Sequence, residues 1–509
     1  ANRAILNYSK AESYYPRKYN GGATVFSNNY YAKPPVIERK SVTLYSDITD
    51  RLRTKLKFTQ WSMDENDASI GDGLFPEVRL NLGGDSVYLG GDRYRGANHI
   101  MVDEDILVFK ADYDNDDNVL TFGIERTETD VYNLFIARYN GEIQFNSIED
   151  FETGMWSYLR FHTPIAGNDQ VGTAAADFSI EKDTMYFQNK WYAGDDLTFT
   201  FGFRYDKVLT PDYPHLNPKF LERNGIGNNQ RFDFDLIQPR VSFNYDATSM
   251  FGDRVVDATI RGGRGLFLGR IPRVWYGNAY SRSGGLTDYN RFRSYSDVIG
   301  PMPASSTADP HFFWLGSTSN YEVRSAWYGD AQGTDPGFEA PSSWRTNIAL
   351  DLLTTKGYDF TVEYNRDQIN EGVFYQDLGI TQTGTLADGR GTYTGAGDFW
   401  LSNTELGDTE AITFIMKKEW NDVKFMTAYT NMDASDVYAL TSAQAESAYG
   451  YQQRWDGENM SANRSSFMVE HKFLATLDYT TQLLGDNDTR FSLVFVRKAG
   501  EPYSVVFDE

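Results

Sequence analysis

The feature that most constrains this chain is a two-residue alternation of apolar and polar side chains, repeated in segment after segment. Leu197, Phe199, Phe201, Phe203 and Tyr205 alternate with Thr198, Thr200, Gly202 and Arg204. Ile237, Pro239, Val241, Phe243 and Tyr245 alternate with Gln238, Arg240, Ser242 and Asn244. Tyr358, Phe360, Val362 and Tyr364 alternate with Asp359, Thr361, Glu363 and Asn365. Val469, Phe473, Leu477 and Tyr479 repeat the pattern, with His471 a polar exception on that face. Successive side chains of a strand point to opposite faces, so each segment predicts a ribbon with one oily and one wet side.

The ribbons come in pairs. Ile106–Tyr113 and Val119–Glu125 flank the Asp/Asn run from Asp114 to Asn118, and Tyr186–Tyr192 and Leu197–Tyr205 flank Gly194-Asp195. Lys356-Gly357, Asn421-Asp422 and Gly485-Asp486-Asn487 separate three further pairs. Gly, Asn and Asp tolerate the left-handed backbone of a tight hairpin. The connections after Tyr205, Gly265, Tyr364 and Tyr429 are instead about 25–75 residues long, which is rare within compact soluble domains. Short turns at one end and long loops at the other are the asymmetry of an outer-membrane barrel, with the short turns periplasmic and the long loops extracellular. About fourteen strands are visible, counting Val42–Ile48, Leu52–Trp61 and a hairpin around Asn140-Gly141 as the less marked ones. No linker divides the chain, so residues 1–509 read as one all-β unit, a large antiparallel transmembrane β-barrel. A soluble sandwich or propeller is the competing architecture, because its strands are also oily on one face. Alternating faces that run free of charge and end in Tyr or Trp favour the barrel.

Composition narrows the functions. The 509 residues carry a formal net charge of −23, which disfavours a nucleic-acid surface. With no cysteine there is no disulfide framework, thiolate metal site or cysteine nucleophile. Aromatic residues at 15% are too frequent for a disordered acidic chain. No run of apolar residues is long enough for a transmembrane helix.

Several stretches resemble the barrel of TonB-dependent outer-membrane receptors, in particular the Oar-like branch. They are Ile143–Gly154 (IQFNSIEDFETG), Tyr186–Tyr205 with Pro211 and Asn217-Pro218 after it, and the continuous stretch Ile237–Gly284. Within that last stretch the order is Q-P-R-x-S-F-N, then R-G-G-x-G-x-F, then W-x-x-N-A-Y-S. Pro341–Leu378 and Ala499–Ser504 continue the likeness, which covers most of the chain from about Ile143 onward. The resemblance implies a barrel of about 22 strands around a plugged lumen. It also implies energy-coupled solute uptake driven by a TonB-type protein acting on the plug. No plug domain, coupling box or terminal aromatic strand is recognised here, so the chain reads as the barrel portion of a larger receptor. Outer-membrane lipid, and possible surface lipoproteins or extracellular ligands, are the implied partners. A surface scaffold, adhesin or secretion-associated barrel is the alternative within the membrane, and a soluble carbohydrate-binding β-protein the alternative outside it.

Enzymatic signatures are missing: there is no G-x-S-x-G, H-E-x-x-H or phosphate-loop lysine. His99, His162, His215, His311 and His471 have no metal-ligand spacing. Gly262, Gly263 and Gly265 read as a glycine-rich strand, since no helix pattern follows at once. Asp112, Asp114 and Asp116 alternate like a calcium loop, but Asp117 replaces its glycine and Gly123 its bidentate glutamate. A solvated turn is favoured, with weak Ca2+ binding left open. Recognition is expected in the long loops. Arg273, Trp275, Tyr276, Asn278 and Tyr280, with Phe312, Phe313 and Trp314 further along the same connection, offer aromatic faces and hydrogen-bonding groups to a sugar or peptide. Packing of the loop on itself is the favoured alternative for them.

Overall fold

In the computed structural model the alternation becomes a wall of antiparallel strands, each paired to its neighbours in sequence. The structure describes residues 2–18, 22–71, 75–165, 168–292, 329–395, 397–437, 440–451 and 460–504. The wall strands are β1 (Asn2–Glu12), β2 (Val36–Asp47), β3 (Leu52–Asn66), β4 (Asn98–Asp114) and β5 (Asn118–Phe135). They continue as β6 (Ala176–Tyr192), β7 (Leu197–Leu209), β8 (Phe234–Asp246), β9 (Val255–Leu268) and β10 (Ser342–Thr354). β11 (Tyr358–Asp377), β12 (Asp408–Trp420), β13 (Val423–Asp436), β14 (His471–Leu484) and β15 (Asn487–Lys498) complete it. These belong to an 18-stranded sheet whose other members, Gln332–Thr334, Phe399–Thr404 and Asn463–Arg464, are short pieces at its loop end. Among the described residues β1 is in register with β2 alone and β15 with β14 alone, so the described wall is an open arc. Among those residues, no helix is long and apolar enough to cross a membrane.

Register decides which face is which. Phe109, Ile124, Met185, Tyr205 and Ile237 lie side by side across β4 to β8 on one face. That face is uncovered: Phe201 is 43% exposed, Phe414 50% and Ile237 61%. The apolar rows therefore do not meet in a dry centre between two sheets, as a soluble sandwich would require. They form a belt instead. On β8 the belt runs from Tyr245 through Phe243, Val241 and Pro239 to Ile237, and charge returns at Asp235. At about 3.3 Å per residue and a tilt of about 40°, the rise from Tyr245 to the returning charge at Asp235 is roughly 25 Å, the height of an outer-membrane apolar band.

Both rims of the belt are marked. Toward the short turns the same face carries Tyr113, Trp191, Tyr245, Tyr358, Trp420 and Tyr479, and toward the loops Tyr205, Tyr364 and Tyr429. These are interfacial aromatic girdles. One row beyond Ile124 and Met185, Arg126 bridges Glu128, Glu181 and Asp183 at 2.7, 2.9 and 3.1 Å, so full charge begins where hydrocarbon ends.

The opposite face is polar. Arg204 pairs with Glu125 and Asp206, both at 2.9 Å, and Arg261 with Asp351 at 2.8 Å and Glu363 at 2.9 Å. Arg345 meets Asp367 at 3.0 Å. The Tyr186 ring lies over Gly123, where a Cβ would come within 2.1 Å of it, so only glycine admits the ring there.

Three expectations change. β1 joins the wall although its alternation is faint, and β14 begins at His471, beyond Val469. The hairpin around Asn140-Gly141 is no part of the wall: Gly141, at φ 95, leads into Glu142–Phe145, which pairs in parallel with Glu77–Leu82 in the loops. The test of orientation is Phe201→Arg. It is expected to cost about 2–4 kcal/mol in lipid-reconstituted unfolding, whereas Gln188→Arg, on the wet face, costs under about 1 kcal/mol.

Candidate functional site

The long connections all leave from one end of the wall and fold over its mouth. Segments from several of them build a second, six-stranded sheet: Thr24–Val25, Glu77–Leu82, Asp85–Gly90, Glu142–Phe145, Tyr158–Pro164 and Thr287–Phe292. Val78, Ile143, Phe145, Trp156, Leu159 and Phe161 form its buried core. The strand ending at Phe145 gives way to a helical turn, Ile148–Thr153, whose N-terminus is capped by Ser147 accepting from the Asp150 N–H at 3.0 Å.

Beside this core lies a hub of buried charge. Glu142 is fully buried and accepts from Arg93 at 2.8 Å, Arg138 and Arg160 at 2.6 Å each, and the Tyr158 hydroxyl at 3.1 Å. Burial opposes its ionisation, but the guanidinium groups prevail and hold its pKa at about 2. Glu77, nearly as buried, faces the guanidinium of Arg93 at 3.4 Å and accepts from the Asn29 amide at 3.2 Å and the Arg93 backbone N–H at 3.4 Å. There burial prevails and pushes the carboxyl up to about 7. Sequence reading missed this hub, because its members are scattered from Asn29 to Arg160 and no local pattern joins them.

Helix α1 (Pro218–Asn224) lies midway along the connection between β7 and β8, and helix α2 (Arg273–Ser281) follows β9. Ile271 to Tyr280, expected to be loop, is therefore mostly helix. It holds that form because α2 buries Tyr276, Asn278 and Tyr280 in the largest core, with Phe178, Phe232 and Phe338. Their polar tips are engaged within the protein. The Tyr276 hydroxyl bonds Thr210 at 3.1 Å and Tyr280 at 3.0 Å, and the Tyr280 hydroxyl donates to the Asp212 carbonyl at 2.8 Å. Asn278 donates to the Ala443 carbonyl at 2.8 Å and the Trp275 indole to the Ser442 carbonyl at 2.8 Å. Arg273 is paired with Glu104. The structure thus brings five of the six candidates together, as the brace that packs three connections into the mouth. Trp314, with Phe312 and Phe313, lies outside the described residues.

Below this packed mouth the polar face of the wall lines a cavity of about 1150 Å³, reached by inner side chains from β5 to β13. In the run expected to be a solvated turn, with weak Ca2+ binding left open, Asp112 pairs with Lys110 at 2.9 Å and Asp116 with Arg51 at 2.8 Å. Among the described residues no group of three or more His, Asp or Glu side chains is placed to hold a metal ion. His99 bonds Asp64 at 2.7 Å and His471 bonds Tyr429 at 3.0 Å, far apart on the wall, and His311 is outside the described residues.

No family model and no curated protein sequence matches the chain. Among solved structures it is similar to the outer membrane transporter YddB from Escherichia coli, at 11% identity and a TM-score of 0.56, over 94% of this chain and 52% of that one. It is also similar to the FrpB iron transporter from Neisseria meningitidis. The F5-1 variant gives 11% identity and a TM-score of 0.50 over 94% of this chain and 56% of that one. The F3-3 variant gives 9% and 0.50 over 95% and 55%. The chain spans about half the length of the solved structures it matches. What these likenesses share is the fold, and that fold is the outer-membrane β-barrel of transporters.

Two outcomes follow from the buried hub. Glu142→Gln leaves three guanidinium groups without their shared carboxylate and is expected to cost about 3–5 kcal/mol, read as lost hydrogen-exchange protection at Val78–Leu80 and Ile143–Phe145. Glu77 binds its proton more tightly folded than unfolded. Its contribution is therefore whole below about pH 4.5 and declines as pH rises toward 7. Protection of the loop sheet should fall across that interval in the native protein, and Glu77→Gln should abolish that part of the slope.

Proposed function

We propose that this chain is the barrel portion of a TonB-dependent outer-membrane receptor, of the Oar-like branch, which takes up a solute under energy coupling from the inner membrane. The observation that carries this reading is the combination of an outward apolar belt of membrane height with a polar inner face whose loop end is crossed by packed connections. A barrel closed from such a wall separates two aqueous spaces, and passage through it requires a movable element and a source of work. In a TonB-dependent receptor these are a plug and a TonB-type coupling protein. The likeness to outer-membrane transporters supports the barrel half of the argument, and the motifs from Ile143 to Ser504 support the family and branch. Transport of this kind needs no bond chemistry from the barrel.

In this reading the loop end recognises the solute. Tyr276, Asn278 and Tyr280 set the shape of the mouth from within. Direct contact falls to the half-buried Arg273 and Trp275, and to Trp314 in the same connection.

The protein, expressed in a Gram-negative host, is expected to fractionate with the outer membrane, and deletion of its gene to abolish growth on the solute it carries. Collapse of the inner-membrane proton gradient should block uptake equally. Fractionation with the soluble proteins, or uptake that survives loss of the gradient, would refute the proposal.

A further inference from the structure

Arg240 stands on the inner face of β8, between its register partners Gly202 of β7 and Gly265 of β9. Both neighbours are small for different reasons: a Cβ on Gly265 would come within 2.9 Å of the Arg240 Cγ, and one on Gly202 within 2.2 Å of the Phe187 carbonyl oxygen. The guanidinium lies over the Phe267 ring, 4.3 Å from its centroid, and Nη2 donates to the Gln238 Oε1 at 3.1 Å. Gln238 is itself fixed, donating to Asp206 at 2.5 Å and accepting from the Leu268 N–H at 2.9 Å. Arg204, Arg261 and Arg345 on the same face each meet a carboxylate, but among the described residues Arg240 meets none. A guanidinium has five N–H donors in a flat fork suited to two oxygens of one anion. Here most of that fork is unspent, held open by an aromatic platform and an amide, beside the cavity of about 1150 Å³. The hydroxyls of Thr200 and Ser242 and the amide of Asn347 line the same cavity.

We propose that Arg240 is an anion-binding station in the lumen for a solute bearing a carboxylate or phosphate group, a reading that rests on the transport function above. An anion there supplies the direct counter-charge that Arg240 lacks beside the cavity, and the glycines beside it leave room for the approach. Such a station selects solutes by their oxyanion, independently of the packed mouth.

The test is calorimetric titration of the liposome-reconstituted protein with inorganic phosphate and with citrate, at constant ionic strength against chloride. The native protein should bind at least one of them, phosphate alone marking a phosphate group and citrate alone a carboxylate. Arg240→Gln should weaken that binding at least tenfold, and Arg240→Lys should retain part of it. Arg39→Gln, an exposed arginine of β2, should leave it unchanged. No binding to the native protein, or equal binding to Arg240→Gln, overturns the proposal. Flotation of the same samples with liposomes separates the two readings. Floating protein that fails to bind refutes the anion station alone, whereas native protein that does not float refutes the membrane reading beneath it.

Discussion

In hydrocarbon a backbone amide without a partner costs several kcal/mol, and no water is present to supply one. Everything else in this molecule is arranged around that cost. Each wall strand from β2 to β14 pairs with both of its neighbours across most of the belt, and each neighbour in space is a neighbour in sequence, joined at one end by short turns. The one proline of the belt fits the same rule. Pro239 has no N–H to give, and it stands where the pairing of β8 with β9 has ended, one residue beyond the last registered pair, Arg240 with Gly265.

At the loop end the solvent changes and so does the solution. Once the chain passes Arg126, Asp235 and their row, it is in water and must bury apolar surface to stay ordered. It does so twice, in the core around Tyr276 and Phe232 and in the small sheet around Ile143 and Leu159. Side-chain bonds then join connections that are remote in sequence. Asp398 takes Arg223 of α1 through both oxygens, at 2.9 and 2.7 Å, and accepts from Asn224 at 2.8 Å and from the Ala331 N–H at 3.1 Å. One carboxylate thus ties three connections across the mouth.

That change of solvent explains how much could be read from the residues alone. In the belt one face meets lipid and the other water, so polarity alternates and the strands from Ile106 to Val496 were legible, as were their Asp/Asn/Gly turns. β1 was not, because Arg3, Asn7 and Ser9 on one face and Tyr8 and Lys10 on the other leave little contrast. The loops obey no such period. The aromatic run from Trp275 to Tyr280 has the composition of an exposed binding surface, and only its place inside the mouth shows that most of it is spent on packing. Glu142 and its three arginines were invisible for a related reason, since ionic hubs are assembled by tertiary contact and leave no spacing in the sequence.

The distribution of charge carries the same distinction between total and place. A net charge of −23 suggests a molecule hostile to anions. Yet the carboxylates gather where water and loops are, at Glu128, Glu181, Asp183 and Asp235 on the outer rim, while the inner face of β7 to β10 carries an arginine on every strand. Three of these are neutralised by carboxylates on their own or nearby strands and serve the wall. The fourth is stacked and hydrogen-bonded but not neutralised, on a strand flanked by glycines. Global charge governs what approaches the outside of such a wall, screened within about 10 Å by salt. What can pause inside is governed by single side chains, because the lumen brings a solute within reach of them one at a time.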